Sequence, residues 1–203
     1  MLSSFYHDPV LLLERAAAPF FGIKAYGVHV NGYVRQRHDG QILLWVARRS
    51  ASKPTWPGKL DHIVAGGQPH GLSLAENVVK ECEEEAGIPS TLASQAVPVG
   101  VVTYTALQPV GLKRDVLFCY DLELPEDFVP VAQDGEVQDF FLMSLPEVAA
   151  MVAGGTPDEG DLESYKDNCN LVVLDFLVRH GAIPPDTPGY LELARKLRAG
   201  DCS

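Results

Sequence analysis

Three carboxylates lie close together on one predicted helix. Glu81, Glu84 and Glu85 stand at i, i+3 and i+4, a spacing that places all three on one helical face, about one turn apart. Like charges at this separation repel, which raises the proton affinity of each carboxylate unless a cation lies among them. Carboxylate oxygens are ligands that suit Mg²⁺ and Mn²⁺. The spacing therefore predicts a divalent-metal site formed by these three glutamates.

The alternative interpretation is a solvated acidic helix, because runs of charge usually form exposed surface. The flanking residues favour the metal site. Gly66, Gly67 and Gly71 precede the helix and predict a glycine loop, and Gly87 follows at the right distance for a C-terminal stop. Loop, helix and stop thus occur in the order that a metal-binding loop and helix require.

The elements that position these residues are predicted from apolar periodicity and turn signals. A helical segment is expected within residues 8–18, as part of a short extension over 1–22 that precedes one domain over 23–203. Mixed strands flanked by helices predict an α/β sandwich with a mixed β-sheet. The expected strands cover 23–34, 42–47, 60–65, 96–104, 116–122 and 138–143, and the expected helices after the acidic one cover 145–152 and 168–179. Lys113 and Arg114 are expected in the turn before strand 116–122.

Composition excludes several classes of function. The net charge of −11 opposes binding to nucleic acid or to an anionic membrane surface. No apolar run approaches 18 residues, and the N-terminus lacks a basic region followed by an apolar stretch. We therefore expect a cytoplasmic protein that acts on a small molecule. A homodimer, the commonest assembly of soluble proteins, stays open.

Cysteine and histidine spacing argues against a sulfur or imidazole metal site. The four cysteines have no C-x-x-C spacing, which favours free thiols in a reducing compartment. Four histidines, His29, His62, His70 and His180, share no ligand spacing, so zinc is not expected.

The acidic segment resembles the Nudix hydrolase signature, written G-x5-E-x7-R-E-U-x-E-E-x-G-U, where U is a bulky apolar residue. The matching positions are Gly66, the glutamates Glu81, Glu84 and Glu85, and the closing residues Cys82, Gly87 and Ile88. The resemblance implies an α/β/α sandwich, bound Mg²⁺ or Mn²⁺, and hydrolysis of a diphosphate bond.

Two positions depart from the signature. Leu72 stands where the family has its first glutamate, which mainly supports the loop and the start of the helix, and Lys80 stands where the family has arginine. Glu76 lies one turn before Lys80, so an ion pair between them is expected to replace the missing support.

The resemblance continues outside the signature. WVARRS (45–50), KPTWPGKLDHIVAGG (53–67), DGEVQDFFLMSLPEV (134–148) and YKDNCNLVVLDFLVRHG (165–181) resemble the Nudix branch related to thiamine pyrophosphokinase. That branch implies conversion of a diphosphate to a monophosphate, with damaged thiamine diphosphates as substrates. Kinase activity is not implied, because the chain has no G-x-x-x-x-G-K-[ST] loop.

Further site residues are expected around the metal helix. Glu136 precedes a predicted strand, where many Nudix enzymes place another metal ligand or base; an ordinary turn residue is the equal alternative. Arg48, Arg49 and Lys53 are candidate phosphate contacts, with surface solubility as the alternative. Trp56, before Pro57 and Gly58, is a candidate stacking residue, with core packing as the alternative.

Three functions remain after the sequence has been considered. The first is a metal-dependent diphosphatase acting on thiamine diphosphate analogues. The second keeps this chemistry but takes ADP-ribose or another nucleoside diphosphate derivative. The third is a non-catalytic ligand sensor, which the intact Glu81, Glu84 and Glu85 disfavour and Leu72 favours.

Overall fold

The chain folds into a mixed β-sheet with helices on both faces. The computed structural model describes residues 5–154 and 164–200. Among the described residues no helix is both long and apolar enough to cross a membrane. The strands are β1 (Lys24–Arg35), β2 (Ile42–Arg49), β3 (Leu60–His62), β4 (Val64–Gly67), β5 (Val97–Gln108), β6 (Gly111–Glu123) and β7 (Val137–Ser144). The helices are α1 (Leu74–Ala86), α2 (Ser90–Ala93), α3 (Leu145–Ala153), α4 (Asp167–Arg179) and α5 (Tyr190–Lys196), preceded by a 3-10 helix (Arg15–Phe21).

Strand β1 is the centre of the sheet. It runs parallel to β6, with Lys24 opposite Arg114 and Tyr33 opposite Glu123. Its other edge is shared, because β4 pairs with its first half and β2 pairs with its second half, both antiparallel. Strands β3 and β7 pair with β2, and β5 pairs with β6. Among the strands that the structure describes, β1 and β6 pair in parallel and the other pairs are antiparallel, which confirms the predicted mixed sheet.

The two faces of the sheet carry separate cores. Helix α1 buries Val78, Cys82 and Ala86 against Val28 and Val30 of β1 on one face. On the other face α3 and α4 cover Leu44 and Val46 of β2, with Val148, Val173 and Phe176 as the helical contacts. Burial of apolar side chains on both faces makes the α/β/α sandwich that the sequence predicts.

Three local predictions differ from the structure. The expected strand 60–65 is two strands, because the chain passes from the edge of β2 to the edge of β1 at the buried Ile63. The expected helix within 8–18 is a 3-10 helix at Arg15–Phe21, since the apolar residues 10–12 are exposed and lack a core to pack on. Lys113 and Arg114 lie inside β6, not in a turn, and helix α5 was not expected.

An ion network ties α4 to the sheet. Arg179 donates to Asp121 of β6 at 2.5 and 2.9 Å and to Asp175 of α4 at 2.7 Å. Arg198 reaches the other oxygen of Asp175 at 2.6 Å. Burial alone would raise the pKa of Asp121, but hydrogen bonds from His180 and Arg179 outweigh it and leave the pKa lowered. Asp121 therefore stays ionised inside the protein, and both carboxylates are paired with Arg179.

Removal of this guanidinium should be costly. We expect Arg179→Met to lower the free energy of unfolding by about 3–5 kcal/mol, because it leaves two buried carboxylates short of a partner. The matched control is Lys196→Met, which removes the exposed pair between Lys196 and Glu192 and should leave the free energy of unfolding close to the wild-type value. Urea unfolding of both variants measures the difference. Equal losses in the two variants would contradict the role given to Arg179.

Candidate functional site

Helix α1 carries the acidic residues, and its ends are defined by local chemistry. Ser73 and Glu76 form a capping box, in which Ser73 Oγ accepts from the Glu76 backbone at 3.2 Å and Glu76 Oε2 accepts from the Ser73 backbone at 2.8 Å. Gly87 ends the helix with a φ of 61°, the left-handed conformation that glycine adopts without strain. The stop predicted at Gly87 is confirmed.

The capping box replaces the support expected from the first signature glutamate. Glu76 is used in the cap, so the predicted pair between Glu76 and Lys80 is wrong. Lys80 instead contacts Glu84 at 2.5 Å and Glu81 at 3.3 Å. The Leu72 side chain is 36% exposed, and its carbonyl accepts a hydrogen bond from Gln68 at 2.7 Å. A leucine at this position therefore leaves the helix start intact.

The predicted glycine loop is partly strand. Gly66 and Gly67 belong to β4 and pair with Val28 and Gly27 of β1, because the pairing edge of β1 continues to this point. A Cβ on Gly66 would lie 2.2 Å from Glu81 Cδ, so the β4 backbone touches this carboxylate directly. Only Gly71, with a φ of 88°, forms the turn. The absence of a side chain at Gly66 thus leaves room for the Glu81 side chain.

The carboxylate of Glu85 is anchored to the same strand. Its Oε2 accepts a hydrogen bond from the Ala65 backbone at 2.8 Å. Burial raises the pKa of Glu85 to about 8, and the negative charges of Asp61, Glu81 and Asp134 add to the rise against the lowering by the Ala65 bond. Burial also raises the pKa of Glu81, although Lys80 opposes it. The helix therefore holds two carboxyl groups that a nearby cation would favour in the ionised form.

A second group of carboxylates meets Glu85. Oxygen atoms of Glu85, Asp134 and Glu136 all lie within 4.8 Å of one another. The segment carrying the last two runs beside the end of α1, because Val131 donates its backbone N–H to the Ala86 carbonyl at 3.0 Å. These donors are all oxygen atoms, the set that fits Mg²⁺ or Mn²⁺. Asp134 was not predicted, although the sequence run Asp-Gly-Glu contained it.

Of the three glutamates predicted as metal ligands, Glu84 lies apart. Its side chain is 53% exposed and is bonded to Lys80, and it is not among the oxygens that meet at Glu85. The structure thus brings the carboxylates of Glu85 and Glu136 close together and places Glu81 beside Gly66. Glu84 would have to leave Lys80 to reach a cation held there.

The loop after β2 depends on the predicted arginines for its shape. Arg49 donates to the carbonyls of Trp56 and Thr55 at 3.1 and 2.9 Å and to Asp61 at 2.7 Å. Arg48 donates to the Gly58 carbonyl at 3.1 Å and lies over the Phe141 ring. These contacts explain how Trp56 keeps its left-handed φ of 54°, a conformation that is rare outside glycine.

Lys53 is the predicted cation that contacts the acidic group. Its Nζ lies 2.6 Å from Glu136. The contact follows from the sheet, because β7 begins opposite Arg49 and the Ser50 backbone donates to the Glu136 carbonyl at 2.8 Å. Half-buried Trp56 lies in the same loop.

A cavity of about 390 Å³ opens beside β4. Gly66, Gly67 and Ala65 form part of its wall, so it adjoins the strand that anchors Glu81 and Glu85. Its other walls carry four cationic side chains, Arg15, Lys113, Arg114 and Lys166, and two acidic ones, Glu14 and Asp115. Its volume and its excess of cationic side chains suit a small anionic molecule.

Comparison with known proteins adds to this geometry. A family model described as NUDIX domain matches residues 25–162. Nudix hydrolase 24, chloroplastic, of Arabidopsis thaliana is 56% identical over 98% of this chain and 52% of its own length. Nudix hydrolase 20, chloroplastic, of the same plant is 56% identical over 98% of this chain and 51% of its own length. The chain spans about half the length of these curated relatives.

A solved structure shows the same fold. The crystal structure of a C. elegans Ap4A hydrolase binary complex is similar to this chain with a TM-score of 0.52. The alignment covers 78% of this chain and 99% of that chain, at 15% sequence identity. An identity this low shows a shared fold and nothing further.

The stability of the metal-free protein should depend on the protonation of Glu85. Its pKa in the folded state is raised from 4.5 to about 8, so its contribution to stability is present below pH ~4.5 and is lost as the pH rises through about 8. We expect the Tm in EDTA to fall over this window and Glu85→Gln to flatten the fall. The exposed Glu83→Gln is the control and should keep the wild-type profile.

Magnesium should act on the same group. Millimolar Mg²⁺ is expected to raise the Tm at pH 8 by mass action on the folded state, with a smaller gain in Glu85→Gln. Melting curves with Mg²⁺ and with EDTA measure both effects. If Glu85→Gln kept the wild-type pH profile and the wild-type gain, the titration would have to be assigned to another group.

Proposed function

Because this chain belongs to the family of NUDIX domain proteins, we propose that it is a metal-dependent pyrophosphohydrolase. The observation that supports the proposal best is the convergence of Glu85, Asp134 and Glu136 within 4.8 Å beside the cationic cavity. A solvated acidic helix would leave its carboxylates apart in water. Here they come from separate parts of the chain and one of them is anchored to a strand backbone.

Each acidic residue has a defined role in this proposal. Glu81 and Glu85 would hold divalent cations with Asp134 and Glu136, and Glu84 would reach these cations on leaving Lys80. A bound Mg²⁺ or Mn²⁺ would supply charge that polarises the diphosphate and lowers the pKa of an attacking water. One of the carboxylates accepts the proton of that water. The hydrogen bond from Ala65 keeps Oε2 of Glu85 fixed.

Lys53 has a role in holding the substrate. It is paired with Glu136 at 2.6 Å in the free protein, and a phosphate oxygen of the substrate would compete for the same ammonium group. Lys113, Arg114 and Lys166 line the cavity. In this proposal a bound diphosphate contacts these cations and Lys53 while its phosphorus atoms lie beside the acidic cluster.

For the substrate we propose thiamine-type diphosphates, with damaged forms preferred. Support comes from the resemblance of the segments 45–50, 53–67, 134–148 and 165–181 to the branch related to thiamine pyrophosphokinase. The half-buried Trp56 next to the cationic loop provides an aromatic surface for a heteroaromatic ring. The products would be the monophosphate and inorganic phosphate.

Neutralising one metal ligand should reduce the rate strongly. We expect Glu85→Gln and Glu84→Gln each to lower kcat by at least about 10²-fold, because each removes charge from the cation site. Glu83→Gln, on the exposed side of the same helix, is the matched control and should keep wild-type turnover. Steady-state rates with circular dichroism of each variant measure this. Near wild-type activity in Glu85→Gln would disprove the metal-site assignment.

The substrate class is tested by a panel. Oxythiamine diphosphate, thiamine diphosphate, ADP-ribose and ADP are incubated with the protein and Mg²⁺, and the products are separated by chromatography. We expect kcat/KM to be highest for oxythiamine diphosphate, with thiamine diphosphate next. A higher kcat/KM for ADP-ribose than for both thiamine compounds would overturn the thiamine assignment and leave pyrophosphohydrolase activity standing. No hydrolysis of any compound would favour the ligand sensor.

A further inference from the structure

Three donor side chains of another kind meet where two strands of the sheet and helix α4 come together. His29 lies on β1, His62 ends β3 and Cys169 lies on α4. One ligand atom of each residue lies within 4.8 Å of those of the other two. All three are buried, at 4%, 4% and 0% exposure. The fold thus assembles a group that sequence spacing did not indicate.

The two imidazoles have unused ring nitrogens inside the protein. His29 Nδ1 and His62 Nε2 are buried and have no hydrogen-bond partner. The rings meet edge to face at 5.0 Å between centroids. A buried polar nitrogen without a partner costs free energy, and so such atoms are rare in native proteins unless a ligand or water completes them.

The thiol is oriented by a fixed carboxylate. Cys169 Sγ donates to Asp61 Oδ1 at 2.8 Å. The other oxygen of Asp61 is held by Arg49 at 2.7 Å and by Lys166 at 3.6 Å. Asp61 cannot turn away without breaking both ion pairs, so the sulfur is kept at the group formed with His29 and His62.

We propose that His29, His62 and Cys169 form a second metal site, for a zinc-class divalent cation. Two imidazoles and one thiolate are the donors that such cations prefer, whereas Mg²⁺ prefers oxygen. When the cation binds, the Cys169 thiol loses its proton to solvent and the thiolate binds the cation. His29 also lines the cavity, and so a water or small molecule there supplies the fourth ligand.

The charges around the site are compatible with a cation. Arg49 and Lys166 are positive and lie close, but both are already paired with Asp61. The thiolate of Cys169 brings one negative charge into direct contact with the metal. The site differs from the acidic cluster in its donor atoms and its elements, and the inference does not depend on the proposed hydrolase activity.

Cobalt(II) is the probe for this site. The full chain is treated with EDTA, desalted under argon and titrated with Co²⁺ while excess Mg²⁺ occupies oxygen sites. We expect a thiolate-to-cobalt charge-transfer band that saturates at one equivalent and disappears when Zn²⁺ is added. Absence of the band in the wild-type protein would overturn the proposal without any variant being needed.

Matched variants assign the band to these residues. Cys169→Ser should abolish it, and His62→Gln should weaken Co²⁺ affinity at least about tenfold, since even indirect partners of a metal contribute this much. Cys119→Ser, which alters another buried free thiol, and Cys202→Ser should leave it unchanged, as should Glu85→Gln. Circular dichroism without metal checks that each variant folds. An undiminished band in Cys169→Ser would contradict the proposed site.

Discussion

The close approach of helix α1 to strand β4 is the constraint on which the site depends. Glu85 accepts a hydrogen bond from the Ala65 backbone, and the Glu81 carboxylate occupies the space that a side chain at Gly66 would need. Two acidic side chains are thereby taken out of bulk water and held against a strand. Their negative charge is unfavourable there without a cation, which supports the proposed metal site.

Asp61 is a second organising group. It binds Arg49, which shapes the loop that contains Trp56. It also accepts a hydrogen bond from the thiol of Cys169 on α4. Burial would raise the pKa of Asp61, but the charges of Lys166, His62 and Arg49 and the thiol hydrogen bond outweigh it, so the pKa lies far below its usual range. A single ionised carboxylate thus joins a strand, a loop and a helix around the cavity.

Several features were determined by the sequence alone. The i, i+3, i+4 glutamates, the stop at Gly87 and the strands flanked by helices depend on local periodicity and backbone preference, which the residues carry with them. The mixed sandwich followed from the same patterns, and the family followed from the resemblance to the Nudix signature. Leu72 was recognised as a departure from the signature, but the capping box of Ser73 and Glu76 that compensates for it was found in the structure.

Other features were decided only by tertiary structure, because they depend on pairing between segments far apart in the chain. Strand β7 pairs with β2, and this pairing carries Glu136 to Lys53 and Asp134 towards Glu85. Lys80 pairs with Glu84 and not with Glu76, because Glu76 is hydrogen-bonded in the helix cap. His29, His62 and Cys169 share no sequence spacing, yet packing α4 over β1 and β3 brings their donor atoms within reach of one ion. Spacing along a chain records only local neighbours, whereas a metal or substrate responds to distance in space.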